Sequence, residues 1–119
     1  MAEPTVVCVP VDAAGAVDPR WGRAHTVAVA SMADGAVRDW VEHVVAWDEL
    51  HDQGAEGLHH ARVARFLQEH AVTEVVANHM GAGMEHMLAR MGIAVHFGAA
   101  GDARTAVSAA LAAPRRPML

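Results

Sequence analysis

The sequence predicts one α/β domain in three layers, with a mixed five-stranded sheet between helices on both faces. Three observations carry this expectation. The chain has 119 residues, the ordinary size of a single domain. Its first patterned segment, TVVCVPV over 5–11, is β-branched and apolar on both faces, as in a central strand. After residue 57, helical and strand patterns alternate, which is the mark of crossover units and parallel strands.

The elements follow in order. Strand 5–11 carries Pro10 near its end, where a missing N–H costs least. A Gly/Pro/Asp loop, DAAGAVDPRWGRA, covers 12–24. HTVAVASM (25–32) reads as a second strand, and Asp34-Gly35 as a hairpin turn. The third strand is expected over 37–47, with Val37, Asp39, Val41 and His43 on one face. Residues 48–57 (DELHDQGAEG) form the main loop. A helix is expected over 58–70, with Leu58, Ala61, Ala64, Phe66 and Leu67 on a broad apolar arc. A short strand at 73–77, a turn at 78–83 and a helix at 84–91 come next, with Gly92 as the left-handed cap. The last strand is 93–97, and Asp102 caps a final helix to Ala113. The order is thus β-β-β-α-β-α-β-α, with residues 1–113 forming one domain. Residues 114–119, PRRPML, are expected to be a flexible tail.

Composition excludes several functions. Net charge is −5 with neutral histidines, so the basic footprint of a nucleic-acid binder is absent. One cysteine, Cys8, excludes an intrachain disulfide and a four-cysteine metal site; mid-strand, it reads as a buried, inert thiol. No apolar run approaches the ~20 residues of a membrane span, and the N-terminus lacks signal-peptide character, so a cytoplasmic domain is expected. The anomaly is histidine: nine in the chain, whose full protonation would move the charge from −5 to +4.

In open α/β sheets, ligands bind beyond the carboxyl ends of the parallel strands. Three loops should lie there. The first carries Asp12, Arg20, Trp21, Gly22 and Arg23; the second Asn78, His79, Met80, Gly81 and Gly83; the third Gly98 and Ala99. The second and third lead into helix N-termini through small residues, which suits an anion. The same glycines also serve plain turn geometry.

The histidines divide. His25, His43, His70 and His96 have structural explanations, His96 through a hydrogen bond within its strand and His70 at a helix end. His51, His59, His60, His79 and His86 fall on or beside loops at one edge of the sheet and are candidate metal ligands. His59 and His60, about 100° apart on a helix, should not both face one site. Met80, Met84, Met87 and Met91 share one helix face and read as core, with Met80 in the turn beside His79 as the exception.

Arg20-Trp21-Gly22-Arg23-Ala24 resembles the Arg-aromatic-Gly-x-Ala motif of the dinitrogenase iron–molybdenum cofactor biosynthesis family. The Asp34-Gly35 hairpin, the His/Gly loop 51–57, Asn78 to Met84 and Val95 to Ala99 follow in the same order, so the resemblance spans about 5–112. That family includes NifX- and NafY-type carriers and the C-terminal domain of NifB. The resemblance implies a ribonuclease H-like fold and non-catalytic binding of an iron–sulfur or molybdenum–iron cluster or its precursor. A single transition metal ion is the simpler cargo. It nominates Arg20, Arg23 and His79, with His51, His59 or His60 helping, and a cluster-delivery protein as partner. Ala82 stands where the family often has proline, and no cysteine lies in a loop.

Two other readings compete. A magnesium-dependent nuclease of that fold would use Asp12, but Asn78 stands where a further carboxylate is needed. A homodimerising module would use the hairpin bearing Trp40 and Trp47.

Overall fold

The computed structural model of the protein describes residues 5–50 and 56–112. Among these, five strands run Thr5–Val11 (β1), Thr26–Ala33 (β2), Ala36–Val44 (β3), Glu74–Val76 (β4) and Ala94–His96 (β5). The helices are Trp47–Leu50 (α1), Glu56–Glu69 (α2), Ala82–Arg90 (α3) and Ala103–Ala112 (α4), with a 3-10 turn at Trp21–Arg23. No helix among the described residues is long and apolar enough to cross a membrane.

The strands form one sheet in the order β3-β2-β1-β4-β5. β1 pairs antiparallel with β2 and parallel with β4; β2–β3 is antiparallel and β4–β5 parallel. The sheet is therefore mixed, as its sequence pattern predicts. β1 lies at its centre and feeds both cores. Val7, Val9 and Val11 pack with Ala28, Ala30, Val76, Ala103 and Val107 beneath α4. Cys8 points the other way, among Val27, Val63, Leu67, Val75 and Leu88 beneath α2 and α3. Cys8 has no exposed surface, and burial pushes its thiol up.

Local punctuation follows the chemistry. Asp34 (φ 53°) and Gly35 (φ 76°) make the tight β2–β3 turn, which needs two left-handed residues. Gly92 (φ 76°) ends the α3 segment. Asp102 Oδ2 accepts from the Thr105 N–H at 3.0 Å and from its hydroxyl at 2.9 Å, capping α4 and holding the carboxyl below its ordinary range. His96 is tied within the sheet: its Nε2 meets Glu74 Oε1 at 2.6 Å.

Four expectations need correction. The third strand stops at Val44, not at Trp47. Ala46 adopts a left-handed conformation (φ 53°), and the N–H groups of Val45 and Ala46 both donate to His25 O. Trp47 then turns inward and is 2% exposed, opening α1. Second, the strict alternation in β3 fails, because the register slips between Ser31 and Met32. Arg38 becomes the extra residue of a bulge, so Val37 joins Trp40 over the α4 side. Third, the long main loop is shorter: α1 takes 47–50 and α2 begins at Glu56. Similarly, α3 begins at Ala82, ahead of the expected Met84.

One ring cluster links β3 to α2. His43 lies against Phe66 (5.5 Å between centroids) and His70 (4.5 Å). Burial first, and then the neighbouring His70, lower the His43 pKa below the ordinary 6.5. The unfolded chain therefore binds that proton more readily than the folded one. Stability contributed here is complete above about pH 6.5 and is lost as pH falls through the lowered folded value. The melting temperature should drop between pH 7 and pH 5, and His43→Phe should flatten that slope in thermal denaturation. An unchanged slope in the variant would refute the assignment.

Candidate functional site

A cleft of about 760 Å³ opens beyond the carboxyl ends of β1 and β4. Its walls are the 19–23 turn, the start of α2 with His59 and His60, and the β4–α3 turn from His79 to Met84.

The first wall is stitched by a buried acid. Asp18 is 5% exposed, and its N–H donates to Pro10 O at 3.0 Å, anchoring the loop to β1. Asp18 Oδ1 accepts from Arg20 N at 2.9 Å and from Arg20 Nε at 3.3 Å; Oδ2 takes Nη2 at 3.4 Å. The hydrogen bond to Asp18 raises the Arg20 pKa further, so it stays cationic. Arg23, by contrast, pairs with no carboxylate among the described residues. Trp21 is 1% exposed and meets Trp47 edge-on, with 5.5 Å between centroids. Its Nε1 is the single buried side-chain nitrogen or oxygen among the described residues with no hydrogen-bond partner. Such a group costs free energy until a partner arrives.

The second wall is braced to the first. His59 Nε2 lies 2.8 Å from Gly22 O, and its Nδ1 lies 2.9 Å from Arg62 Nη1. A carbonyl only accepts and a guanidinium only donates, so these contacts set the Nε2–H tautomer. His59 is 3% exposed. Both ring nitrogens hold the cleft together, which leaves His59 a positioning residue rather than a ready ligand. His60, half-buried, also lines the cleft. Both members of the adjacent pair border the cleft, with the His59 ring nitrogens spent on the brace and His60 beside Gly83 of α3.

The third wall is made of small residues. A Cβ at Gly83 would lie 3.2 Å from His60 Cε1, tighter than most real contacts, so glycine lets α3 approach the imidazole. Gly81 caps α3 with no side-chain hydrogen bond, and its first turn lines the cleft with the helix's positive end. His79 is exposed at the rim and Met80 half-buried beside it.

The cleft thus gathers Arg20, Trp21, Gly22, Arg23, His59, His60, His79, Met80, Gly81 and Gly83. Other candidates lie elsewhere. Asp12 Oδ1 closes its own loop by accepting from Ala14 N (2.9 Å) and Ala16 N (3.0 Å). Asn78 Nδ2 donates to Ala99 O at 3.1 Å and Asn78 O accepts from Gly98 N, so these three residues bind loop to loop. His86 is exposed on α3, away from the cleft. His51 lies outside the described residues. Sequence reasoning missed Asp18, although its place two residues before Arg20 was a usable signal for a side chain-to-backbone turn.

The molecule is thus a small α/β domain with a mixed sheet and a cationic, histidine-lined cleft at its carboxyl edge. More specifically, the family model described as dinitrogenase iron-molybdenum cofactor matches residues 4–113, and the chain belongs to that family. Solved structures share its fold at low identity. The crystal structure of PH0822 has a TM-score of 0.72 and 18% identity, covering 90% of each chain. The apo form of the orange protein from Desulfovibrio gigas has a TM-score of 0.67 and 22% identity, covering 90% of this chain and 87% of that one. A candidate NifB protein from Thermotoga, solved by NMR, has a TM-score of 0.63 and 23% identity, covering 88% and 85%. No curated protein sequence matches the chain.

Proposed function

We propose that the protein is a non-catalytic carrier whose cleft holds an iron–sulfur or molybdenum–iron cluster, or its precursor, as cargo. The observation that carries this reading is the meeting of two arginines and the His60, His79 and Met80 side chains in one cleft. Such cargo is anionic and needs both soft or borderline donors and positive charge. His79 and His60 are the proposed ligands, with Met80 as a thioether neighbour. Arg20, Arg23 and the α3 N-terminus supply the charge. The orphaned Trp21 N–H, and the glycine at 83 that lets α3 close on the His60 ring, support a site with a positioned imidazole. Family membership supports the link to the iron–molybdenum cofactor. On this reading the fold is ribonuclease H-like, residues 1–113 are the domain, and delivery passes to a second protein.

The test is anaerobic reconstitution with iron, sulfide and molybdate, followed by gel filtration and metal analysis. The wild-type chain should retain metal, and His79→Ala should lower retention at least about tenfold, a typical cost of disturbing a metal site. No retained metal in the wild type, or equal retention in the variant, sinks the reading.

A further inference from the structure

Outside the cleft, three side chains from two separate segments converge at the surface. His25 Nδ1 lies 3.0 Å from Asp48 Oδ1 and 3.6 Å from Glu49 Oε2. One ligand atom from each residue falls within 4.8 Å of the others. Zinc bonds of 2.0–2.2 Å to nitrogen and oxygen place tetrahedral neighbours about 3.3–3.5 Å apart. The two imidazole–carboxylate spacings bracket that value. The third, between the carboxylates, closes by rotation of Glu49, the most exposed of the three side chains at 68%.

The two segments are also held in place from behind. His25 O accepts from Val45 N at 2.9 Å and Ala46 N at 3.0 Å, and Ala24 O accepts from Trp47 N at 3.0 Å. Trp47, next to the two acids in sequence, is buried and anchors α1 against Trp21 and Phe66. The donor set therefore needs little reordering to close on an ion, and ordering is a main cost of binding. One imidazole with two carboxylates suits a borderline divalent ion better than calcium or magnesium, which prefer all-oxygen shells.

We propose that His25, Asp48 and Glu49 form a surface site for a single divalent ion of the zinc class, separate from the cleft. His25 Nδ1 and one oxygen from each carboxylate bind the ion, and water completes its shell. Neither the ion nor its donors belong to the cargo proposed for the cleft.

The test is titration of the full nitrogen-15-labelled chain with Zn²⁺ at pH 7.5, read by NMR and calorimetry. The first equivalent should shift the His25 ring nitrogens and the Trp47–Leu50 amides. Asp48→Asn and Glu49→Gln, near-isosteric changes at exposed positions, should each weaken this binding at least about tenfold. His79→Ala should leave it unchanged, which separates this site from the cleft. First shifts at the cleft histidines, or unaltered affinity in the Asn and Gln variants, would overturn the proposal. Circular dichroism melts confirm that each variant is folded. If Asp48→Asn unfolds the chain, the Glu49→Gln result decides alone.

Discussion

Replacing Trp47 with alanine should cost about 3–5 kcal/mol, the range for truncating a buried tryptophan. The side chain is 2% exposed and packs edge-on against both Trp21 and Phe66, with centroid distances of 5.5 and 5.7 Å. It is the ring through which the 21–23 turn and α2 meet. With total stability of roughly 5–15 kcal/mol, the loss is a large share of the whole. The melting temperature should fall by roughly 4 °C per kcal/mol in a chain of this size. Urea denaturation gives the check. A loss below about 1 kcal/mol would mean that the ring is not the keystone its packing implies. Trp47→Phe should cost much less, because it keeps an aromatic edge against Trp21.

The second large effect concerns His59. His59→Ala removes the donor to Gly22 O and one of the acceptors of Arg62, which keeps Leu50 O, and should cost about 2–4 kcal/mol from the lost pairing plus a cavity. His59→Gln is the informative variant. Its amide N–H can donate to Gly22 O while its oxygen accepts from Arg62. It should recover at least half of the lost stability in denaturant titrations. It should also retain the metal that His79→Ala loses, because the brace is restored without an imidazole. Full loss of metal in a stable Gln variant would make His59 a ligand and refute its positioning role.

Much of the architecture was legible because local chemistry and global fold agree at particular residues. The seven-residue run of β1 announces a central strand, and Asp34-Gly35, Gly92 and Asp102 mark turns and caps where the chain uses them. The loop motifs named the walls of the cleft for the same reason: strand ends and helix starts position them. What failed was set by distant partners. Nothing near Ala46 in sequence reveals that His25 O, twenty-one residues away, draws the chain into a left-handed turn. The bulge at Arg38 depends on how β2 pairs, and the role of His59 depends on a carbonyl thirty-seven residues away. Likewise, His25 looks idle until α1 brings Asp48 and Glu49 beside it.

The sealed thiol of Cys8 has a consequence for direction of transfer. It is the sole cysteine of the chain and lies wholly inside β1. On the carrier reading proposed above, the cargo would be held by imidazole and thioether, which compete poorly with thiolate for iron. On that reading, transfer to an acceptor that offers thiolates would run downhill. The one thiol sits instead inside the sheet, out of reach of any guest in the cleft.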